Sequence, residues 1–376
     1  MIMKRVLIIQ EHLPHYRIPF FECLRTQLSA SGVQLDVICN AQHSSQFVGG
    51  RMAWATRVAM PRLLGLVWHR RTLARALASD LVIAPQEIKY LVPLLVLAIS
   101  RVNSTRFAFW GHGKNFQAAS ENSIKEQLKR FLSRRVDWWF AYNNLSARVV
   151  HETGFPTERT TSVVNSIDTT ALSARRADLT ADEISAARIQ LGISTDNVAI
   201  YTGGLYPLKR LPFLIQSVEL IRHQIPDFEF IIIGDGPERP WLENIVLNKP
   251  WIHFLGAKSD HDKVPYWAIS KVLLMPGGVG LIILDSFALG VPMMTTDTHL
   301  HGPEIEYLNS GDNGVLVECG KSPQAYANAV VRILRTPTAL QHLQAGAMAS
   351  ANHYTIQQMA ANFTSGILAA LEHPEI

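Results

Sequence analysis

The chain has 376 residues, of which 48% are hydrophobic and 18% are charged, and its formal net charge is +4. This length and apolar content suit two hydrophobic cores, since single cores stop growing at roughly 250–300 residues. The three cysteines are far apart and odd in number, which disfavours a disulfide framework or a zinc cluster and favours a reducing, cytoplasmic compartment. No apolar run has membrane-spanning length, and the first residues do not have the layout of a signal peptide.

Positive charge is concentrated in the first part of the chain. Residues 1–168 hold 21 Lys and Arg against 11 Asp and Glu, whereas residues 169–376 hold 14 against 20. Basic clusters alternate here with aromatic residues: Arg70-Arg71, Lys129-Arg130 and Arg134-Arg135, with Trp54, Trp68, Phe131, Trp138 and Trp139. The clusters fit either a solvated face above core aromatics or a surface for anionic lipid headgroups. No nucleic acid partner is expected, because no recognition motif of the usual kinds is present.

Strand-type apolar runs alternate with helical patterns along the chain, which is typical of parallel sheets with crossover helices. Val6 to Ile9 predicts a first buried strand, and a polar loop with His15 and Arg17 follows it. Phe107 to Trp110 predicts a later strand that runs into a turn around His112. The first half therefore predicts an α/β domain whose strands end in polar loops.

Three segments in the second half share one order, namely a strand, a glycine turn and a helix. Residues 198–210 end in the basic pair Lys209-Arg210 at a helix start. Residues 228–237 place a tight turn after a buried strand, and residues 272–287 place a glycine-rich turn before a helix. The order predicts a second α/β domain in this half of the chain.

The third segment carries the most informative binding feature. Pro276 closes its strand, and Gly277, Gly278 and Gly280 leave backbone amides unshielded before helical spacing begins. Exposed N–H groups at a helix start, together with the positive end of the helix dipole, form an anion site that favours phosphate. Asp285 lies about a turn and a half inside this helix, where its carboxylate could reach two adjacent ribose hydroxyls.

Together these segments resemble the donor-nucleotide domain of GT-B glycosyltransferases, and most nearly family 4 (GT4), the retaining sugar-nucleotide enzymes of bacterial surface polysaccharide and lipopolysaccharide synthesis. The matching pieces are Gly203-Gly204-Leu205 with Lys209-Arg210, Ile232 to Pro237, Phe254-Leu255-Gly256, Pro276 to Pro292, His301 to Ile305 and Gly311 to Gly314. The match is dense over about residues 196–320. It is thinner in the first half, at Pro14 to Phe21, Trp110 to Gly113 and Val163 to Asp168.

The resemblance implies an α/β protein of GT-B type, in which two Rossmann-like parallel-sheet domains face a deep cleft. Residues 1–168 would form the acceptor-side domain, and residues 169–354 would form the domain that binds the nucleotide-sugar donor. An apolar stripe over Thr355 to His373 predicts a C-terminal helix. In GT-B proteins this segment, about residues 355–376, crosses back to the first domain.

The resemblance also implies a donor site. The predicted donor-binding residues are Gly204, Lys209, Arg210, Gly234, Gly256, Gly278, Val279, Gly280, Leu281 and Asp285. Lys209 would neutralise the donor diphosphate, and Asp285 would replace the second glutamate of the family's Glu-x7-Glu pattern. Backbone amides of residues 278–281 would read the sugar hydroxyls, while Gly234 and Gly256 would leave space for the nucleobase.

Two positions depart from the family pattern. The first glutamate of Glu-x7-Glu is absent, because its position is Gly277. The arginine that the family often has after the first loop glycine is also absent, because its position is Gly204. Arg210 therefore either supplies the missing charge or lies on the surface.

On the acceptor side, His112 aligns with a histidine that contacts the donor sugar near the reacting carbon in related enzymes. His112 and Lys209 are the predicted catalytic residues. His15 and Arg17 are candidates for the acceptor pocket or for a phosphate contact.

These expectations describe a retaining glycosyltransferase that moves a sugar from a UDP- or GDP-linked donor to an acceptor hydroxyl, without a metal or another cofactor. The acceptor would be a glycan or lipid-linked glycan in lipopolysaccharide, O-antigen or capsule synthesis, and the enzyme would be cytoplasmic with peripheral contact to an anionic membrane. Two alternatives remain open. A GT-B sugar-nucleotide epimerase shares the fold and donor pocket but needs acid and base carboxylates around the sugar. A non-catalytic nucleotide- or membrane-binding module would fit the absence of the family's arginine at Gly204 and of its glutamate at Gly277.

Overall fold

The computed structural model describes residues 3–40, 52, 54–60, 62–63, 66–67, 70–86, 91–99, 104–113, 131–318, 320 and 322–373. The chain divides into two compact units: unit 1 is Met1–Ile167 with Ile356–Ile376, and unit 2 is Asp168–Thr355. Trp68, Lys129-Arg130 and Cys319 lie outside the described residues, as do the side chains of Arg70 and Arg71. Among the described helices, none combines the length and the apolar character that a bilayer-spanning segment requires.

The described part of unit 1 contains a parallel sheet of seven strands and a small antiparallel pair. The strands are β1 (Lys4–Gln10), β2 (Val33–Asn40), β3 (Ala55–Val58), β4 (Arg62–Leu63), β5 (Leu66–Val67), β6 (Leu81–Pro85), β7 (Arg106–Gly111), β8 (Trp138–Ala141) and β9 (Thr160–Ser162). The sheet order is β3-β2-β1-β6-β7-β8-β9, and β4 pairs only with β5. The near-continuous burial of β1, β6 and β7 is typical of a sheet covered on both faces.

Helices cover this sheet. They are α1 (Ile18–Ala30), α2 (Arg70–Leu77), α3 (Leu91–Ile99), α4 (Asn144–Glu152) and the C-terminal helix (Ile356–Glu372). The C-terminal helix packs against α1, and its Phe363 ring stacks on Phe140 of β8 at 4.7 Å between centroids. Phe20 of α1 also contacts Phe363, at 5.4 Å. These aromatic contacts fasten the end of the chain to the core of unit 1.

Unit 2 contains a six-stranded parallel sheet. Its strands are β10 (Val198–Thr202), β11 (Glu229–Ile233), β12 (Ile252–Phe254), β13 (Val272–Leu274), β14 (Met293–Thr296) and β15 (Gly314–Val317). The order is β12-β11-β10-β13-β14-β15. The sheet extends in one direction from β10 to β12 and in the other from β13 to β15, so the strand order reverses between β10 and β13. Ligands of open parallel sheets bind outside the carboxyl ends of the strands at such a reversal. The loops after β10 and β13 therefore occupy the position that favours a ligand.

The helices of unit 2 lie on both faces of this sheet. They are α5 (Thr169–Ala177), α6 (Ala181–Leu191), α7 (Leu211–Gln224), α8 (Arg239–Val246), α9 (Val264–Ala268), α10 (Ile282–Leu289), α11 (Pro323–Leu334) and α12 (Pro337–Ala351). A capping box of Thr180 and Glu183 starts α6, and Gly192 ends it in a left-handed conformation. The two parallel-sheet units confirm the predicted GT-B fold class, and the predicted C-terminal helix is present in unit 1.

Candidate functional site

Backbone hydrogen bonds join the loops that follow β10, β11 and β12. Gly203 donates its N–H to Ile233 O at 3.0 Å, and Gly234 donates to Gly256 O at 2.9 Å. A Cβ atom on Gly234 would lie 1.9 Å from Gly203 O, so this glycine is required by the close approach of two backbones. A Cβ atom on Gly256 would have only Arg239 as a neighbour, at 4.0 Å. The contact of both glycines with a nucleobase stays a prediction.

The turn between β13 and α10 (residues 276–281, hereafter the braced turn) is held by side chains from other loops of unit 2. Thr296, at the end of β14, donates from Oγ1 to Pro276 O at 2.7 Å. Lys209 donates from Nζ to Gly278 O. Gly278 has a φ of +55°, a left-handed conformation that disfavours any residue with a Cβ atom. The turn is therefore fixed at its first and third carbonyls.

His301 fixes the same turn from the loop after β14. Its Nδ1 accepts the N–H of Val279 at 3.1 Å, so the ring proton is on Nε2, which donates to Thr296 O at 2.7 Å. Burial lowers the pKa of this imidazole, which keeps it neutral at pH 7. Gly302 donates its N–H to Val279 O at 2.7 Å. Both backbone polar atoms of Val279 are thus bonded within the protein, and the predicted amide donors narrow to those of Gly278, Gly280 and Leu281.

Lys209 ends a short 3-10 turn (Pro207–Lys209) after β10. Its side chain is half-buried, and its Nζ reaches the braced turn at Gly278 O. Burial lowers the pKa of Lys209 to about 8, and the Glu304 carboxylate partly opposes this shift. The structure thus brings the predicted residues Lys209 and Gly278 into direct contact, close to a helix start that favours anions.

Arg210 supports the braced turn and does not extend into solvent. Its guanidinium donates to Thr296 Oγ1 at 2.8 Å and to Pro276 O at 3.4 Å. The same group lies over the Phe213 ring, 4.1 Å from its centroid. Arg210 also has a φ of +57°, an uncommon value for a residue with a side chain. Its described contacts are those of a structural brace, and a contact with the donor stays a prediction.

At the two positions that depart from the family pattern, neighbouring groups occupy the space that a side chain would need. A Cβ atom on Gly277 would lie 2.5 Å from Leu208 O and 2.9 Å from Arg210 Cγ. A Cβ atom on Gly204 would lie 2.2 Å from the ring of Tyr206. The loop that carries Lys209 therefore occupies the space of the missing glutamate, and a glutamate at Gly277 would require this loop to move.

Asp285 lies in α10 as half of a buried ion pair. Lys263, the residue before α9, donates from Nζ to Asp285 Oδ1 and to Asp260 Oδ1, the latter at 2.6 Å. The side chains of Lys263 and Asp285 are 7% and 9% exposed. Burial alone would lower the pKa of Lys263, but the two carboxylates raise it above its usual range. The carboxylate predicted to bind ribose thus already has a cationic partner, and its contact with ribose stays a prediction.

In unit 1, Arg17 is buried beside the last residues before unit 2. Its guanidinium donates to Asn165 Oδ1 and, at 3.2 Å, to Ser166 O. Val164, in the same segment, has a φ of +58°, which is strained for a β-branched residue. Arg17 therefore holds a strained backbone segment in place, and its predicted contact with an acceptor or a phosphate is untested.

The two predicted histidines of unit 1 lie in loops at the carboxyl ends of strands. His112, after β7, is half-buried, and its ring centroid is 4.0 Å from that of Tyr142. His15, after β1, is exposed at the start of a 3-10 turn, with the Tyr16 ring at 5.9 Å. Ligands of parallel sheets bind at this edge, and the catalytic and acceptor roles of the two histidines stay predictions.

The aromatic residues near the basic clusters fall into two groups. Trp138 and Trp139 are 5% and 0% exposed on β8, and Trp54 packs against the unit 1 core. Phe131 is 49% exposed, and the Arg135 guanidinium lies 4.0 Å from its ring centroid. Core packing removes Trp138 and Trp139 from the surface, which favours the alternative of core aromatics at these two positions.

Residues 196–336, which include the braced turn and its supporting side chains, match the family model described as glycosyl transferases group 1. This segment is a glycosyl transferases group 1 domain. It contains all six strands of unit 2 and extends through α11. The match confirms the resemblance to GT-B glycosyltransferases and is consistent with GT4.

Curated relatives match over the region of the group 1 domain. The chain is 26% identical over 171 residues to an alpha-D-kanosaminyltransferase of Streptomyces kanamyceticus, covering 44% of this chain and 41% of that protein. It is 24% identical over 186 residues to an alpha-monoglucosyldiacylglycerol synthase of Acholeplasma laidlawii, covering 48% of this chain and 45% of that protein. The matches thus span less than half the length of these relatives.

Solved structures are similar over nearly the whole chain. The crystal structure of HepE from Anabaena in complex with UDP-glucose superposes with a TM-score of 0.70 and 17% identity, covering 96% of this chain and 99% of HepE. At this identity the likeness concerns the fold. It extends the GT-B architecture beyond the group 1 domain to unit 1.

Three residues of the group 1 domain that shape the site were not predicted. His301 and Thr296 brace the turn, and Lys263 neutralises Asp285. The motif that contains His301 is visible in the sequence, but no spacing rule indicates which amide an imidazole meets 22 residues away. The pairing of Lys263 with Asp285 has no local signal, because the two residues lie 22 positions apart.

Proposed function

We propose that this chain is a retaining glycosyltransferase that moves a sugar from a nucleotide diphosphate sugar to an acceptor hydroxyl, in bacterial lipopolysaccharide, O-antigen or capsule synthesis. The observation that carries the proposal is the braced turn at the start of α10, with the Lys209 ammonium bonded to it. The group 1 family match and a fold neighbour that contains UDP-glucose support a nucleotide sugar as the donor.

The braced turn suits a leaving group that gains negative charge. Phosphate oxygens would accept the N–H groups of Gly280 and Leu281 at the positive end of the α10 dipole. The Lys209 ammonium would exchange Gly278 O for the same oxygens. Preorganised electrostatic stabilisation of this kind is usually the largest single term in catalysis. It needs no metal ion and no cofactor, and we propose that the reaction uses neither.

The transfer step would rest on positioning and charge. The leaving phosphate would take the proton of the acceptor hydroxyl on the face from which it departs, while His112 contacts the sugar near the reacting carbon. Retention is supported by the names of both relatives, which denote alpha-linked products. Common UDP-hexoses are themselves alpha-linked, so an alpha product means that the configuration is kept.

We propose UDP or GDP as the nucleotide and a glycan or lipid-linked glycan as the acceptor. The second relative is named for a glucosylated diacylglycerol, which supports an acceptor that contains a lipid. The net charge of +10 on residues 1–168 would attract anionic headgroups. The protein would then work in the cytoplasm at the inner face of the membrane.

The test starts with thermal unfolding of the full chain in EDTA, with UDP, GDP and their sugar derivatives. A nucleotide that binds only the folded state raises the Tm by mass action. The sugar nucleotide with the largest shift is then incubated with and without glycan acceptors, and the products are analysed. We expect transfer, or slow donor hydrolysis, and a turnover at least about tenfold lower in Lys209→Ala.

Lys249→Ala is the matched control, because Lys249 is also half-buried and bonded to a backbone carbonyl, Ile245 O at 2.9 Å, after α8. It should behave like the wild-type protein. Epimer formation without an acceptor would replace this proposal with the epimerase. Nucleotide binding without any turnover would favour the non-catalytic module, and no nucleotide binding at all would contradict the proposed function.

A further inference from the structure

His301 is a buried imidazole whose two ring nitrogens are both bonded to backbone atoms of the group 1 domain. The side chain is 7% exposed. Nδ1 accepts the Val279 N–H at 3.1 Å, and Nε2 donates to Thr296 O at 2.7 Å. One ring thus connects the end of β14 to the braced turn.

The bonds around His301 hold the backbone of Val279 just before the start of α10. Val279 O accepts the N–H of Gly302, and Val279 N–H is accepted by His301. With Val279 held at both atoms, the next N–H groups along the chain are those of Gly280 and Leu281, at the start of α10. A helix start presents its first amides to an anion only while the preceding backbone keeps its direction.

We propose that His301 is a positioning residue that holds the braced turn so that the start of α10 meets a nucleotide diphosphate, and that only the neutral imidazole can do so. The inference rests on the proposed function, because the diphosphate is its ligand. His301 acts through Val279 and touches no substrate atom.

Protonation of His301 would break this arrangement. A neutral imidazole has one acceptor nitrogen, whereas the imidazolium has two N–H groups and cannot accept from Val279. The charged groups that face the ring are Lys209 and Arg210, which disfavour its protonation, and Asp297, which favours it. Glu304 lies near Lys209 and weakens that cation's effect. Burial is the largest influence and, with the two cations, lowers the His301 pKa below 6.5.

The first experiment is calorimetric titration of UDP into the full chain at pH 7.5, with GDP as the probe if UDP does not bind. His301→Ala should weaken binding about tenfold, because it leaves the Val279 amide without an acceptor. His301→Asn should restore most of the affinity, since its amide oxygen can take the place of Nδ1. His299→Ala is the control, because His299 is exposed in the same loop.

The second experiment repeats the titration of the wild-type protein and His301→Asn from pH 7.5 to pH 5. Protonation of the diphosphate affects both proteins equally, so the ratio of their Kd values isolates His301. We expect the wild-type Kd to rise relative to that of His301→Asn as the pH falls toward the lowered pKa of His301. Wild-type affinity in His301→Ala, or a ratio of wild-type to His301→Asn Kd that decreases as the pH falls, overturns the proposal.

A third measurement needs no ligand. In hydrogen–deuterium exchange, His301→Ala should speed exchange of the peptide that covers residues 276–281 about tenfold, and His301→Asn should not. Unchanged exchange in His301→Ala overturns this inference while the proposed function stands. No binding of either nucleotide to the wild-type protein contradicts the proposed function, and this inference falls with it. If His301→Ala does not fold, the comparison of wild-type protein with His301→Asn decides.

Discussion

Lys263 and Asp285 illustrate what a single buried pair adds to the site. Each side chain is more than nine-tenths buried, and Lys263, just before α9, bonds Asp285 of α10. Removal of one partner from such a pair leaves a charge in a medium that solvates it poorly. A substitution at Asp285 therefore tests stability as much as ligand binding.

Asp285→Asn should lower the free energy of unfolding by about 3 kcal/mol, at the lower end for a broken buried pair because Asp260 still bonds Lys263. The double variant Asp285→Asn with Lys263→Met should recover part of the loss, since it buries no charge. Asp235→Asn, at an exposed pair with Arg239, should cost less than about 1 kcal/mol. Urea unfolding measures all three, and equal losses in the single and double variants would contradict a buried charge.

Lys209 should make the binding of UDP depend on pH. Its folded-state pKa of about 8 lies below the usual 10.5, so the ammonium loses its proton as the pH rises through 8. The affinity for UDP should then fall between pH 7 and pH 9, where the diphosphate itself no longer titrates. In Lys209→Met the affinity should be lower at pH 7 and flat over the same range. Equal pH dependence in the two proteins, by calorimetry, would separate Lys209 from diphosphate binding.

Among the elements, the C-terminal helix depends on close packing at one glycine. A Cβ atom on Gly366 would lie 2.4 Å from Thr161 Oγ1 and 2.8 Å from a ring carbon of Phe140. Glycine in a helix interior costs about 1 kcal/mol relative to alanine. The close approach of helix and strands outweighs that cost, because it lets Phe363 stack on Phe140.

Gly366→Ala should therefore destabilise the protein by about 1–3 kcal/mol, although alanine is the better helix former. Gly192→Ala is a comparison of another kind, since Gly192 has no atom within 4 Å of a Cβ position and its φ is +66°. Gly192→Ala should lower the free energy of unfolding by about 1–2 kcal/mol, through backbone strain. Thermal unfolding gives both values, and a higher Tm in Gly366→Ala would show that the helix can shift.

On the scale of the whole molecule, the opposite charges of the two parts of the chain suggest different surroundings. Residues 1–168 carry a net +10 and residues 169–376 a net −6. In unit 1 the described basic and aromatic surface is formed by Arg134, Arg135 and the half-exposed Phe131. This patch is the part of the proposed membrane contact that the structure describes.

The protein should bind vesicles that contain anionic lipid and should dissociate as salt rises, because the attraction is screened over about 8 Å at physiological ionic strength. Arg134→Glu with Arg135→Glu should weaken vesicle binding about tenfold or more, while UDP affinity stays unchanged. Arg332→Glu with Arg335→Glu makes the same change in net charge on exposed residues of unit 2. If that control loses as much vesicle binding, or neutral vesicles bind equally well, the patch has no specific role.

The fold class, the succession of strands and helices along the chain, and the position of the turn before α10 follow from the amino-acid sequence alone. These features depend on local patterns, namely buried strand runs, glycine turns and helical periodicity. Such patterns are visible in the sequence without knowledge of distant contacts. The proximity of Lys209 and Gly278 could also be predicted, because the loops after parallel strands lie at the same edge of a sheet.

The groups that meet at this edge of the sheet could not be predicted without the three-dimensional structure. His301 accepts the N–H of Val279, and Lys263 donates to the Asp285 carboxylate. The loop before Arg210 occupies the space beside Gly277. Each pairing joins residues at least 22 positions apart on separate elements. The partners in each pairing depend on how closely the helices and loops pack. Packing to within a fraction of an ångström is a property of the whole core, and no local sequence pattern predicts it.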